Sequence, residues 1–384
     1  MIGQPPITKS WQYLRRCLPG SSIVPIRPLS SGSLLFPNHR AMTPNSTRNL
    51  ALDWIKGWMI LCVVLHHTWN ISGFRGYLAV DIFFFISGFF LTRSYLSKPS
   101  NTVSYTWKRI KGIATPFFIS LFVGCCFLFA QEPYSNDIDT IVSNSAKIVY
   151  SFTFAENLGI DITTVPLFLG SWFISVLIIS SFFLYGMLEH NYHLSTRVLF
   201  PFVALFGFNA LITCADTFSS WSRIATLGIP LLRGITEMAA GALIASVYSE
   251  HKSAFEKRST LINLMGIVSF GLFSMLMFTK ACFDRYLVIT VPWILLSVVI
   301  DGSWLSKGLQ KIHGDAISWI GRYTLYILCA HGPAIIVVNY VNEFLFSSAL
   351  NGVARIGIIL CATAIASVIL YHASIWIQSR LQAK

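Results

Sequence analysis

Along this chain, long apolar runs alternate with short polar gaps, and the runs have the length of a bilayer crossing. About 20 apolar residues carry a helix across the hydrocarbon core. On that scale about ten spans are predicted, near 55–73, 78–97, 113–130, 167–188, 198–214, 227–248, 260–279, 287–304, 317–338 and 353–377. An eleventh stretch, 138–154, is interrupted by Ser143, Asn144, Ser145 and Lys147 and reads as a helix lying on the outer membrane surface. The expectation is an all-α, polytopic membrane protein.

Composition points the same way. Only 11% of the residues are charged and 54% are hydrophobic, with a mean hydropathy of +0.63. A soluble domain carries about a quarter charged residues. The net charge of +12 is scattered through the gaps rather than gathered into a compact basic domain, which argues against nucleic acid as a partner. With the start of the first span in the cytoplasm, Arg93, Lys98, Lys108, Arg109, Lys111, Arg197, Lys252, Lys257, Arg258, Lys307, Lys311, Arg380 and Lys384 share that side. The other side receives Arg75, Lys147, Arg223, Lys280, Arg285 and Arg355, with the acidic Glu132, Asp137 and Asp139. The positive-inside rule then places both termini in the cytoplasm. Eight cysteines, most of them inside apolar runs, show no zinc or disulfide spacing and read as small buried hydrophobes.

Residues 1–48 stand apart. They are rich in Ser, Pro and Gly, carry Lys9, Arg15, Arg16, Arg27, Arg40 and Arg48, and hold no Asp or Glu. They lack the continuous apolar core and cleavage site of a secretory signal. The segment reads as a basic disordered tail, as sequence upstream of a true start at Met42, or as an organelle transit peptide. The remainder, 49–380, is one membrane domain. It shows no Walker A motif and no internal repeat, so any catalysis is expected within the membrane.

The densest polar chemistry lies on the hairpin Leu52–Phe90. Ionisable residues inside spans are costly and mark function. Lys56 and His67 are eleven residues apart, so they return to nearly the same helical angle, about 16 Å apart along the axis. Asp53 lies on the same face within pairing reach of Lys56. His66 points about 100° away. The link to the second span is short, roughly Gly73–Tyr77, which brings Asp81 to within about 5 Å of the depth of His67. Asp81 is therefore expected to orient the His67 ring, as a carboxylate does for a catalytic imidazole. The plainer alternative is a polar residue that merely ties helices together. Ser87 and Gly88 would let another helix approach closely. His190 and His193, beside Glu189, lack further ligands and read as a solvated loop, so no metal site is expected.

These residues carry a resemblance. LDWIKGWMILCVVLHH followed by GYLAVDIFFFISGFFL is similar to the opening of the acyltransferase 3 family of integral membrane O-acyltransferases. Asp53, Gly57 and His67 match the Asp, Gly and His of the family's first motif, with Lys56 at its usual Arg. Ala79, Val80, Asp81, Phe83, Phe84, Ser87, Gly88 and Phe89 cover its Gly-Val-Asp-x-Phe-Phe-x-x-Ser-Gly-Phe run. Gly170–Ile174 resembles its Trp-Phe-Leu span. Arg233, Glu237 and Gly241 resemble its Arg-x-x-x-Glu-Phe-x-x-Gly region, with Met238 at the Phe. Ile320, Gly321, Arg322, Tyr323, Tyr326, His331 and Pro333 resemble its last motif. The likeness runs from about 50 to 375.

The resemblance implies an acyl-CoA-dependent transferase of the bacterial inner membrane. It would use no bound cofactor and would move an acyl group, commonly acetyl, from cytoplasmic acyl-CoA to a hydroxyl of a cell-surface carbohydrate or lipid-linked glycan. His67 would be general base or acyl carrier. Lys56, Arg93, Lys108, Arg109, Lys111 and Arg322 would meet the donor, and Asp53, Glu237 and His331 would form a second polar site. A transporter or flippase of a lipid-linked sugar would use the same buried charges as a pathway. A purely structural membrane protein leaves Asp53, Lys56, His67 and Asp81 without a purpose.

Overall fold

The computed structural model describes residues 49–68, 74–131, 138–156, 158, 167–214, 223–224, 227–279, 284–300, 303–311, 316–346 and 352–382. The segment 1–48, expected as a tail or upstream sequence, lies outside the described residues, as do Glu132 and Asp137. The helices are α1 (Leu50–Thr68), α2 (Ala79–Ser97), α3 (Thr102–Gln131), α4 (Ile138–Phe152) and α5 (Ser171–His190). Then come α6 (Tyr192–Leu194), α7 (Phe200–Cys214), α8 (Ile229–Glu250), α9 (Lys252–Lys257) and α10 (Ser259–Met277). The last are α11 (Leu287–Val299), α12 (Trp304–Lys311), α13 (Ala316–Arg322), α14 (Thr324–Phe346) and α15 (Gly352–Gln382). Extended pairing among the described residues is a two-residue antiparallel ladder, Arg223–Ile224 on Leu227–Gly228.

Among the described residues, nine stretches are long and apolar enough to cross a membrane. In the place of the tenth, expected near 287–304, stands α11 with 13 residues, a rise of about 20 Å. Its helix stops where Ile300 turns to extended backbone. Helix α4 turns Ile138, Ile141, Val142, Val149 and Phe152 outward, a single apolar face suited to a membrane surface. Two spans begin earlier than hydropathy predicts, because asparagines cap them. Asn49 accepts from the Leu52 amide at 3.1 Å, and Asn101 accepts from the Ser104 amide at 2.7 Å. Lys108, Arg109 and Lys111 consequently sit on the first turns of α3 rather than in a loop.

Helix α2 is the centre of the bundle. Phe83, Phe84, Phe85 and Phe89 are all buried, and a helix that is apolar all round belongs in a core. Two crossings bring backbones together. A Cβ on Gly88 would overlap the Met238 carbonyl of α8, and one on Gly241 would overlap the Phe85 carbonyl of α2. This is the close approach expected at Gly88. The same reciprocity recurs where α1 meets α13: Gly57 lies against the Ile317 carbonyl, and Gly321 against that of Asp53. Lipid offers helices no hydrophobic drive to associate, so such close packing carries much of the assembly. Helices α7, α10 and α15 turn Leu205, Phe206, Leu264, Val268, Ile365 and Trp376 outward.

The end of the bundle where α1 gives way to α2 is tied by a buried polar cage. Arg233 of α8 donates from Nε to Asp81 at 2.6 Å and to Glu237 at 3.3 Å. Its Nη2 donates to the Tyr77 carbonyl at 3.0 Å. Arg75 pairs with Asp284 at 2.8 Å, and the Tyr77 hydroxyl donates to the same carboxylate at 2.9 Å. The Arg75 amide meets the Met277 carbonyl at 2.7 Å. This corrects the expected role of Asp81, whose recorded partner is Arg233 rather than His67. A guanidinium without a counter-ion is far more costly in a membrane than a neutral imidazole, so the Arg claims the carboxylate. Glu237, expected near His331 in a second polar site, belongs to this cage as well.

Two predictions follow from these contacts. Gly88→Ala and Gly241→Ala should each lower stability by about 1–3 kcal/mol through overpacking, read as thermal unfolding in detergent. Gly271→Ala, with open space around its Cβ position, is the control that should not. Arg233→Met strands Asp81 in a dry site and should destabilise by about 3–5 kcal/mol. Glu237→Gln keeps an acceptor for Arg233 and a hydrogen-bonding group toward Asp81, so it should shift stability by no more than about 1 kcal/mol. Equal losses from the two cage variants would refute the assignment of Asp81 as the essential partner.

Candidate active site

Three imidazoles meet where α1 ends. The His66 and His67 rings are 5.1 Å apart, and the His67 ring stacks on that of His331 at 5.5 Å and 29°. They differ in what holds them. His66 faces back into the hairpin, donating from Nδ1 to the Phe74 carbonyl at 3.2 Å with its ring edge-on to Tyr77. His331, of α14, is fully buried and donates from Nδ1 to the Leu328 carbonyl at 2.8 Å. His67 is half-buried, and no hydrogen bond to either of its ring nitrogens is recorded among the described residues. The helical phase that separates His67 from His66 is thus seen as different neighbours: Phe74 and Tyr77 for one, His331 for the other.

The wall behind His331 is made by backbone. Gly170, at the start of α5, has φ +101°, a conformation that strains any side chain. A Cβ there would press on the His331 ring and the Leu328 carbonyl, both at 3.2 Å. Gly332 likewise lies against the backbone of Leu169. The turn before α5 can therefore seat the imidazole closely only with glycine at this position.

At the other end of α1, Lys56 and Asp53 are buried and paired at 2.7 Å, beside the crossing with α13. The expected donor residues gather at this end by connectivity, since α2 finishes and α3 begins here. Lys98, Lys108 and Lys111 are exposed, whereas Arg93, Arg109 and Arg322 are half-buried. Arg93 lies over the Phe89 ring, Lys111 over Trp107, and Arg109 donates to the Tyr105 hydroxyl at 3.1 Å. Arg322 has its Nε buried with no hydrogen-bond partner among the described residues. Between the two ends, Ile60 of α1 and Thr324, Leu325 and Leu328 of α14 line a small apolar cavity closed by Phe83, Ile113 and Phe173. Ile60 meets the start of α14 and His67 meets His331, so α1 and α14 run side by side in the same direction.

His190 and His193 are exposed, and no group of three His, Cys, Asp or Glu among the described residues could hold a metal ion. The structure brings His67 and His331 together, keeps Lys56 with Asp53, and removes Asp81 to the cage. Arg233 and Gly170 were visible in the sequence only as motif positions. A charged pair at i and i+4 inside an apolar span, as Arg233 and Glu237 are, signals an unseen third partner. No such signal exists for a glycine whose job is a positive φ.

No curated protein and no solved structure matches the chain. A family model described as an acyltransferase domain matches residues 49–372, which takes in every helix that builds the histidine site. This chain therefore belongs to the acyltransferase 3 family and is an integral membrane acyltransferase.

Proposed function

We propose that the enzyme moves an acyl group from acyl-CoA, with acetyl-CoA the leading donor, to a hydroxyl of a cell-surface carbohydrate or lipid-linked glycan at the inner membrane. His67 is the reactive imidazole, acting as general base or acyl carrier. The observation that carries this reading is the state of its ring. Among the described residues, His66 and His331 each have a ring nitrogen bonded to a backbone carbonyl, and His67 has none.

The surroundings support the same direction of transfer. The basic end of the bundle suits the phosphates of the donor, with Arg322 offering a buried Nε that has no hydrogen-bond partner among the described residues. The positive-inside rule puts that end in the cytoplasm. The imidazoles stand at the opposite end of α1, nearer the side where a surface glycan would arrive. No bound cofactor is needed for acyl transfer by imidazole.

In purified protein given radiolabelled acetyl-CoA and a hydroxyl acceptor, His67→Ala should cut acetyl transfer by about 10²-fold or more. His66→Ala, which loses a hairpin contact, should cut it by less than about 10-fold. Unchanged transfer by His67→Ala, or the reverse ordering of the two variants, would sink the assignment.

A further inference from the structure

We infer that His331 is the base for the acceptor hydroxyl, taking its proton at Nε2 while His67 carries the acyl group. The inference rests on the acyltransferase reading above and divides its chemistry between two imidazoles.

The tautomer follows from the contact to Leu328. A carbonyl oxygen only accepts, so the 2.8 Å bond places the proton of neutral His331 on Nδ1 and the lone pair on Nε2. That Nε2 is buried and meets no hydrogen-bond partner among the described residues. Buried acceptors are almost always satisfied. The group that satisfies this one must bring a donor, and a substrate hydroxyl is such a donor. The ring is also held by the Leu328 carbonyl and lies close against the glycine position at Gly170. A base fixed in one tautomer and one orientation is ready to receive a proton at a stated atom.

His67 supplies the complementary half. Its ring lies 5.5 Å from that of His331, and its nitrogens have no hydrogen-bond partner among the described residues. A lone-pair nitrogen of His67 attacks the thioester carbonyl. The C–N bond forms as the C–S bond breaks, and the imidazole N–H proton leaves with the thiolate as free thiol. The hydroxyl oxygen then attacks the acyl carbon, so that C–O forms and C–N breaks. The hydroxyl proton passes to His331 Nε2 and then to the freed nitrogen of His67, restoring two neutral rings. Two imidazolium charges at this distance would repel strongly in a low dielectric, so one travelling proton is what the pair accommodates.

The test separates the half-reactions. Full-length protein in nanodiscs is mixed with acetyl-labelled acetyl-CoA, quenched, and assayed for protein-bound label. It is then chased with a short alkyl glucoside as the hydroxyl probe. His331→Asn places an amide donor where Nδ1 was, keeping the bond to Leu328, but removes the Nε2 lone pair. It should capture label at the wild-type rate and discharge it to the glucoside about 10²-fold more slowly. His67→Ala should capture none. Discharge by His331→Asn at the wild-type rate overturns the proposal, and so does an equal loss of capture and discharge, which marks a structural role. Turnover by the wild type without any protein-bound label overturns the two-step scheme while leaving acyl transfer intact. A wild type that takes no acetyl from acetyl-CoA overturns this proposal together with the donor reading on which it rests.

Discussion

The bundle depends on the requirement that every charge taken into the membrane interior finds a counter-charge there. Arg233 shows this most directly. Its guanidinium reaches from α8 to Asp81, Glu237 and the Tyr77 carbonyl, so it clamps the start of α2 and the turn before it. Arg75 and Asp284 extend the clamp to the turn before α11. With the start of α2 fixed on α8, α1 is left to lie along α14, and the end of α1 brings His67 to His331. His67 lies on the same hairpin as Asp81, and its ring meets those of His66 and His331. The planar fork of an arginine suits this task, because one group has to serve a carboxylate pair and a carbonyl from three directions.

Much of this fold was legible because the membrane simplifies the reading. Apolar runs of bilayer length are few, and their ends are marked by basic residues. The helix starts were not legible from hydropathy, because Asn49 and Asn101 set them by capping rather than by being apolar. The short α11 was missed for a related reason: the run near 287–304 was read as one span across Asp301, Gly302 and Ser303, yet its backbone leaves the helix at Ile300, just before them. Hydropathy reports where a helix is tolerated, not where it stops.

The candidate site was half legible. Helical phase expected His67 and His66 to point different ways, and their rings do have different neighbours, since phase is a local property of one helix. The partner of His67 is a tertiary matter, and there depth alone misled. Asp81 lies near the right level but turns to a stronger partner on α8. The imidazole that does meet His67 comes from a helix more than 250 positions later. Only the backbone paths of α13 and α14, set by the glycine contacts at Gly57 and Gly321, bring it there.

Position 56 shows how the same logic treats a departure from the family pattern. The likeness places an Arg where this chain has Lys56. A point-like ammonium satisfies one carboxylate well but lacks the fork that would grip a donor phosphate at the same time. Here it pairs with Asp53 one helical turn away, both buried against α13. Releasing Lys56 to a donor would break this buried pair, a cost that opposes the exchange. Arg322 lies immediately beyond the same crossing, next to Gly321, and its Nε has no hydrogen-bond partner among the described residues. The planar fork that position 56 lacks is present one helix away, at Arg322, while Lys56 is paired with Asp53 in the crossing.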